Sequence, residues 1–154
     1  MLKNFILIQE SDFNKARNSI RKNSSSGKEI VFSSADDELN RMILEKEKIS
    51  VLMINQSNRH DKMKQRDSGF NHVMAKIAKK NNVIIGINLD EILNSEKKKK
   101  AEILARIRQN VKICNKNKLK MKFISFVKNE KDSYDLKALG LALGMPTWMA
   151  NTLA

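Results

Sequence analysis

The chain has 154 residues, 41% of them hydrophobic and 31% charged, a balance that indicates a globular protein with a real core and excludes a disordered one. Thirty Lys and Arg against 17 Asp and Glu give a formal net charge of +13, which favours a polyanionic partner, nucleic acid first. No apolar run approaches the ~20 residues that span a bilayer, and one cysteine excludes an internal disulfide or a cysteine-rich zinc site.

Strand-like and helix-like segments alternate along the chain. Apolar, β-branched or aromatic runs predict five strands, at Phe5–Gln9, Ile30–Ser34, Val51–Ile54, Val83–Leu89 and Lys122–Val127. This alternation predicts an α/β fold, with a parallel sheet and crossover helices in a single domain over residues 1–154.

The segments between the strands have helical periodicity. Ser11, Ser34 and Ser95 are candidate caps for three of the helices, and the clearest helix is predicted from Asp67 to Lys80. Its apolar stripe would contain Phe70, Val73, Met74, Ile77 and Ala78. A last helix through Leu136, Leu139 and Leu143 should stop at Gly144 and restart at Pro146.

The cluster from Arg66 to Val73 lies where the loop after the third strand meets the Asp67–Lys80 helix. Ligand sites of parallel α/β folds gather at this carboxyl edge of the sheet, and Asp67 is a plausible cap. If Phe70 centres the buried stripe, His72 points about 200° away from it, so it is not a core histidine. The alternative is a solvated histidine beside an ordinary cap.

Two basic patches are candidates for phosphate contact. Arg59, Lys62, Lys64 and Arg66 form one in the loop. The other is the outer face of a later helix, with Lys97–Lys100, Arg106, Arg108 and Lys112; such a run is commonly only a solvated face. Aromatic residues are scarce at 5%, so recognition of RNA by shape and phosphate is favoured over base stacking.

Catalytic residues are few. His60 and His72 are the only histidines, no spacing suits a metal, and no glycine-rich phosphate loop is present. Cys114 lies on a predicted buried helix face, where an inert thiol is expected. These features favour binding over catalysis, with no cofactor bound by the protein and a reducing cytoplasm as its location.

Residues 66–75, Arg-Asp-Ser-Gly-Phe-Asn-His-Val-Met-Ala, resemble the signature segment of ribonuclease P protein component 3, an archaeal family with a eukaryotic counterpart. Four further stretches resemble that family in order and spacing: Leu39–Arg41, Val51–Ile54, Ile87–Leu89 and Asp135–Met145. The resemblance covers nearly the whole chain.

The resemblance implies a TIM-barrel-like fold related to the PHP phosphoesterases, without a working metal site. It also implies a subunit of the ribonucleoprotein that removes the 5′ leader from precursor tRNA. The RNA subunit, with its Mg²⁺, would perform the cleavage, and the protein would pair with component 2 and meet precursor tRNA only indirectly. No membrane contact is expected. By this resemblance Arg66, Asp67, Asn71 and His72 are the leading positions for RNA or partner contact. Together with the basic loop patch and the Leu39–Arg41 stretch, the predicted contact residues are Asn40, Arg41, Arg59, Lys62, Lys64, Arg66, Asp67, Asn71 and His72.

Two departures from the family pattern qualify this interpretation. The sequence is expected to begin at the family's third strand, so a closed eight-stranded barrel of about 250 residues is not expected. Ser125-Phe126-Val127 stands where the family has Ser-Gly-Ala, which weakens any small-ligand site at that edge. Two alternatives stay open: a stand-alone metal-dependent phosphoesterase of the PHP type, and a relative that kept the fold and lost the assembly.

Overall fold

The computed structural model describes residues 4–127 and 131–153, in which strands and helices alternate. In chain order the elements are β1 (Phe5–Gln9), α1 (Phe13–Asn23), β2 (Glu29–Ser33), α2 (Asp37–Lys46), β3 (Val51–Met53), α3 (His72–Lys80), β4 (Ile84–Asn88), α4 (Leu89–Asn94), α5 (Lys97–Lys116), β5 (Met121–Ile124), α6 (Ser133–Ala142) and α7 (Thr147–Ala150). Within these two ranges no helix is both long enough and apolar enough to cross a bilayer.

Within the described ranges, five strands form one sheet in which every neighbouring pair is parallel. The strand order β1-β2-β3-β4-β5 equals the chain order, so each strand lies beside the one before it, as in a TIM barrel. The five predicted strands are confirmed, with shifted ends. β4 stops at Asn88 because Leu89 already begins α4, and β5 stops at Ile124.

The sheet is strongly curved. Four strand spacings would separate the two edge strands of a flat five-stranded sheet by about 19 Å. Phe5 of β1 nevertheless meets Phe126, just beyond β5, with ring centroids 5.6 Å apart in an edge-to-face arrangement. Lys122 of β5 also pairs with Glu29 of β2 at 3.5 Å. The fold is therefore α/β and incomplete TIM-barrel-like, as predicted.

Alternate residues of the strands enter two different cores. On β2, Ile30 and Phe32 belong to the large cluster that the helices cover, which includes Ile43 of α2 and Ile107 of α5. Val31 points to the opposite, inner face of the curved sheet. The buried members of that inner cluster are Val31, Val51, Met53 and Ile124.

Several predicted helix starts were wrong. α3 begins at His72 and is capped by Asn71, whose Oδ1 accepts the Met74 N–H at 2.9 Å, so Asp67 is neither its cap nor its start. Gly69 has φ +74°, a left-handed conformation that breaks the helical path. Val73 is 54% exposed instead of on the buried stripe, because α3 buries the face that contains Met74, Ala75 and Ala78.

The other caps are also displaced by one or two residues. Asp12 caps α1 instead of Ser11, and Asp36 caps α2 instead of Ser34. In both places an aspartate follows the serine closely, and its carboxylate also complements the positive end of the helix dipole. α5 begins after Glu96, not Ser95.

The inner cluster leaves no room for a side chain at Gly86 of β4. A methyl group there would lie 2.9 Å from Ile124 Cδ1 and 2.9 Å from Val51 Cγ1. We expect Gly86→Ala to lower the free energy of unfolding by about 1–3 kcal/mol through overpacking, and Gly86→Val to lower it further. Urea unfolding of the three proteins measures this, and equal midpoints would contradict the close packing.

Candidate functional site

The segment between β3 and α3, residues 54–71, is the longest connection in the described part of the chain. Connections in α/β units usually have about 2–6 residues, and longer ones are commonly functional. It follows the carboxyl end of β3, the edge at which parallel α/β proteins place their sites. We call residues 54–71 the β3–α3 loop.

Arg59 ties the loop to α2. Its guanidinium binds both carboxylate oxygens of Asp37, with Nη1 donating to Oδ2 at 3.0 Å, and its Nε donates to the Asn55 carbonyl at 3.0 Å. The side chain is only 13% exposed. Such a two-pronged arginine–carboxylate pair fixes orientation as well as distance.

Arg106 ties the same loop to α5. Its Nε donates to Asp61 Oδ1 at 3.0 Å, and its two terminal nitrogens donate to the carbonyls of Gln56 at 3.2 Å and Arg59 at 3.0 Å. The residue is 3% exposed, so its predicted place on the basic outer face of the helix was wrong. The backbone N–H of Asp67, followed by the Arg106 guanidinium, lowers the pKa of the Asp61 carboxyl.

Gly69 packs directly against the Arg59–Asp37 ion pair. A methyl group there would lie 2.6 Å from Asp37 Oδ1 and 2.6 Å from Arg59 Cζ, and its φ of +74° is one that other residues rarely adopt. Beside it, the buried Ser68 hydroxyl donates to Asn110 Oδ1 of α5 at 2.6 Å. Packing and hydrogen bonding therefore account for the Ser-Gly pair within residues 66–75.

The loop, α2, α3 and α5 enclose an open cleft of about 600 Å³. Six of the nine predicted contact residues line it: Arg41, Lys62, Arg66, Asp67, Asn71 and His72. His72 is exposed, as predicted, and its Nδ1 lies 3.3 Å from Asn117 Nδ2. α5 adds Gln109, Lys112 and Ile113, which sequence reasoning had not assigned to this site.

The other three predicted residues lie elsewhere. Asn40 is fully buried, and its amide donates to the Ser34 carbonyl at 3.0 Å. Arg59 lies beneath the cleft, bound to Asp37. Lys64 is exposed on the loop but does not line the cleft. Asn40, which is fully buried, and Arg59, which is mostly buried, thus support the site from inside, and a direct contact role for them stays a prediction.

The free charges in the cleft are mainly positive. Asp37 is paired with Arg59, and Asp67 lies 4.0 Å from Arg59 and 3.9 Å from Lys62. Arg41, Arg66 and Lys112 are exposed and form no ion pair with any residue that the structure describes. Against these three cations, the lining contributes one unpaired carboxylate, Glu38. The cleft can therefore attract an anion.

No protein-family model matches the chain. Among curated proteins, ribonuclease P protein component 3 of Methanothermobacter thermautotrophicus is 30% identical over 111 residues, which are 72% of this chain and 43% of that protein. The component 3 protein of Methanococcus maripaludis (strain C7) is 24% identical over 135 residues, 88% of this chain and 54% of that protein. The chain belongs with the ribonuclease P component 3 proteins. It spans about half the length of the curated relatives that it matches.

Solved structures match the fold. A chain in a cryo-EM structure of archaeal ribonuclease P with mature tRNA superposes with a TM-score of 0.76 at 23% identity, covering 96% of this chain and 62% of that one. An uncharacterised protein gives a TM-score of 0.60 at 11% identity, covering 95% and 40%. At these identities the matches show only that these chains share the fold of the present chain, with its curved parallel sheet.

α4 contributes two carboxylates that sequence reasoning missed. Asp90 accepts hydrogen bonds from the Ser125 hydroxyl at 2.6 Å and the Phe126 N–H at 2.8 Å, just after β5. Glu91 accepts from the N–H groups of Gln56 and Ser57 in the β3–α3 loop. These acids at the carboxyl edge of the component 3 sheet hold its loops.

Over residues 4–127 and 131–153, no group of three or more His, Cys, Asp or Glu side chains is placed to hold a metal ion. The single cysteine does not supply a nucleophile either. Cys114 is fully buried on α5, and burial raises the pKa of its thiol to about 12. The thiol therefore stays protonated at neutral pH, and the buried helix face predicted for Cys114 is confirmed.

Arg106 and Arg108 of α5 allow the same substitution to be compared at a buried and at an exposed arginine of one helix. Arg106→Met would leave Asp61 and two loop carbonyls without their donor, and should cost about 1–3 kcal/mol of stability. Arg108 is exposed, so Arg108→Met should change stability by less than about 0.5 kcal/mol. Urea unfolding, with hydrogen exchange of the β3–α3 loop, measures both. Equal effects of the two substitutions would refute the anchoring role of Arg106.

Proposed function

We propose that this chain is a component 3-type protein subunit of a ribonuclease P ribonucleoprotein. It would support removal of the 5′ leader from precursor tRNA by the RNA subunit, in the cytoplasm. The observation that carries the proposal is that residues 66–75, which resemble the family's signature segment, form one wall of a cleft with mainly positive free charge. The superposable chain from archaeal ribonuclease P with tRNA supports it.

The chemistry of the cleft suits phosphate groups better than bases. Arg41, Arg66 and Lys112 can make charge-assisted hydrogen bonds to phosphate oxygens. The first turn of α3 opens at Asn71 and His72, where free N–H groups also favour anions. Phe70, the one Phe, Tyr or Trp side chain in the lining, is 5% exposed and so offers little stacking surface. Binding should follow the RNA backbone and its shape.

Three partners follow from this proposal: ribonuclease P RNA, ribonuclease P protein component 2, and precursor tRNA indirectly through the complex. The Mg²⁺ that assists phosphodiester hydrolysis would be held by the RNA, and the protein would bind no cofactor of its own. The stand-alone PHP-type phosphoesterase is the alternative. It would cleave with metal in the absence of RNA.

Reconstitution separates these possibilities. The protein should raise cleavage of the 5′ leader when it is added to ribonuclease P RNA and component 2 in Mg²⁺, and it should cleave nothing alone. Robust Mg²⁺-dependent cleavage by nuclease-treated, repurified protein would favour the PHP-type enzyme. Normal cleavage without the protein would favour a relative that has kept only the fold.

RNA binding should depend strongly on salt. If about six phosphates are neutralised, the logarithm of the binding constant should fall with a slope of roughly −5 against the logarithm of salt concentration. Fluorescence titrations of labelled ribonuclease P RNA between low and moderate salt give this slope. A slope near zero with affinity retained would show that binding does not rest on phosphate contacts.

Two cleft residues and one core residue should respond in opposite ways. Arg66→Ala and His72→Ala remove exposed side chains, so they should leave the melting temperature unchanged and weaken RNA binding by about 1–3 kcal/mol. Phe70→Ala should cost about 3–5 kcal/mol of stability, because its ring is buried. Thermal melts and titrations separate the outcomes. If the Arg66→Ala and His72→Ala variants melt early but bind RNA normally when folded, residues 66–75 have a structural role and not a binding role.

A further inference from the structure

The side of α5 that faces away from the core is a row of cations. Arg108, Lys112 and Lys116 recur every four residues, so they lie on one face, and all three are exposed. Lys97, Lys98 and Lys99 are exposed in the first turn of the same helix. We call these six residues the α5 basic stripe.

These charges are not neutralised within the protein. None of the six forms an ion pair with a residue in the described ranges, and Glu102 is the only acid that the sequence of α5 contains. The contrast with α1 is clear, because Arg17 and Arg21 both contact the Glu47 carboxylate, at 3.3 and 3.4 Å. The six residues therefore carry much of the unbalanced charge of the chain along one helix.

The lysines of the first turn do not serve the helix itself. The N-terminal end of a helix carries partial positive charge, so cations there oppose the helix dipole. Glu96, at the cap position, makes no side-chain capping hydrogen bond, and Lys97 has φ +50°. Solubility alone does not require four consecutive lysines, Lys97–Lys100, at the N-terminal end of α5, where the helix dipole disfavours cations.

The stripe is continuous with the cleft. Lys112 lines the cleft and also stands between Arg108 and Lys116, about 6 Å of helix rise from each. From Lys97 to Lys116 the helix is about 28 Å long, so it runs along the cleft and continues past it. α5 contains no aromatic residue, so this surface offers charge without stacking.

We infer that the α5 basic stripe is a second RNA-contact surface, which continues from the cleft and binds the phosphate backbone irrespective of sequence. This inference rests on the proposed function, and it extends the contact to residues outside the family-like signature segment. A polyanion on the stripe would relieve the repulsion between its lysines and complement the dipole of α5.

The test compares two sets of three charges. Lys98→Gln, Arg108→Gln and Lys116→Gln together remove three charges from parts of the stripe that do not line the cleft, and glutamine keeps good helix propensity. Lys15→Gln, Lys22→Gln and Lys28→Gln remove three from exposed positions around α1 and form the control. With labelled ribonuclease P RNA, the stripe variant should lose at least about tenfold in affinity and about 2–3 of the salt slope, and the control much less.

A third variant, with Lys97→Gln, Lys98→Gln and Lys99→Gln, separates RNA contact by these lysines from a structural role in the helix. Its RNA affinity and salt slope should fall, while its melting temperature should hold or rise, because cations have been removed from the positive end of a helix. Circular dichroism melts and the same titrations measure this. A lower melting temperature with unchanged affinity would overturn the inference.

The outcomes distinguish this inference from the proposed function. If the unmodified protein shows no salt-dependent RNA binding, the proposed function fails and the inference fails with it. If the unmodified protein binds but the stripe and control variants lose affinity equally, only net charge matters and the inference alone is overturned. If the stripe variant binds RNA normally but no longer retains component 2 in a pull-down, the stripe is a protein interface instead.

Discussion

The site depends on two arginines with little solvent exposure, one in the β3–α3 loop and one on α5, which together anchor that loop. Arg59 fastens the β3–α3 loop to Asp37 of α2, and Arg106 fastens it to α5 through Asp61 and two carbonyls. A guanidinium can satisfy several acceptors at once and stays charged at any physiological pH. Each therefore organises a length of chain that has no regular secondary structure of its own. The cleft exists because these two anchors hold the loop between the helices.

The curvature of the sheet determines the positions of α2 and α5, the helices to which the loop is fastened. Consecutive parallel strands place every connection that leaves a carboxyl end at the same edge, and curvature brings the connections together. Gly86 allows the inner face to close tightly, and Asp90 and Glu91 tie the neighbouring loops to α4. The inner face is thus filled by side chains, and the charged surface lies outside it, between the loop and the helices. This arrangement suits the binding of an extended polyanion better than the enclosure of a small molecule.

The sequence predicted the order of elements well, because strand and helix periodicity depend on local patterns. It misplaced the start of α3, because the left-handed turn at Gly69 packs against Asp37 of α2, a residue distant in sequence, and the helix begins only after this turn, with Asn71 as its cap. It placed Arg106 on a surface for the same reason: an arginine beside other cations is typical of a solvated face. The partner, Asp61, lies 45 residues earlier in the chain, a separation that periodicity cannot detect. Six of the nine implied contact residues do line one cleft, but their role in binding stays a prediction.

Site-specific crosslinking can show whether RNA occupies the cleft of the assembled protein. Gln65 is exposed and lines the cleft without carrying charge, so a photo-crosslinking residue in its place should leave the binding surface intact. Asn18, exposed on α1, serves as the matched control. After irradiation of the assembled complex with ribonuclease P RNA and component 2, we expect an RNA adduct from position 65 and none from position 18. No adduct from position 65, or an adduct of equal yield from position 18, would contradict it.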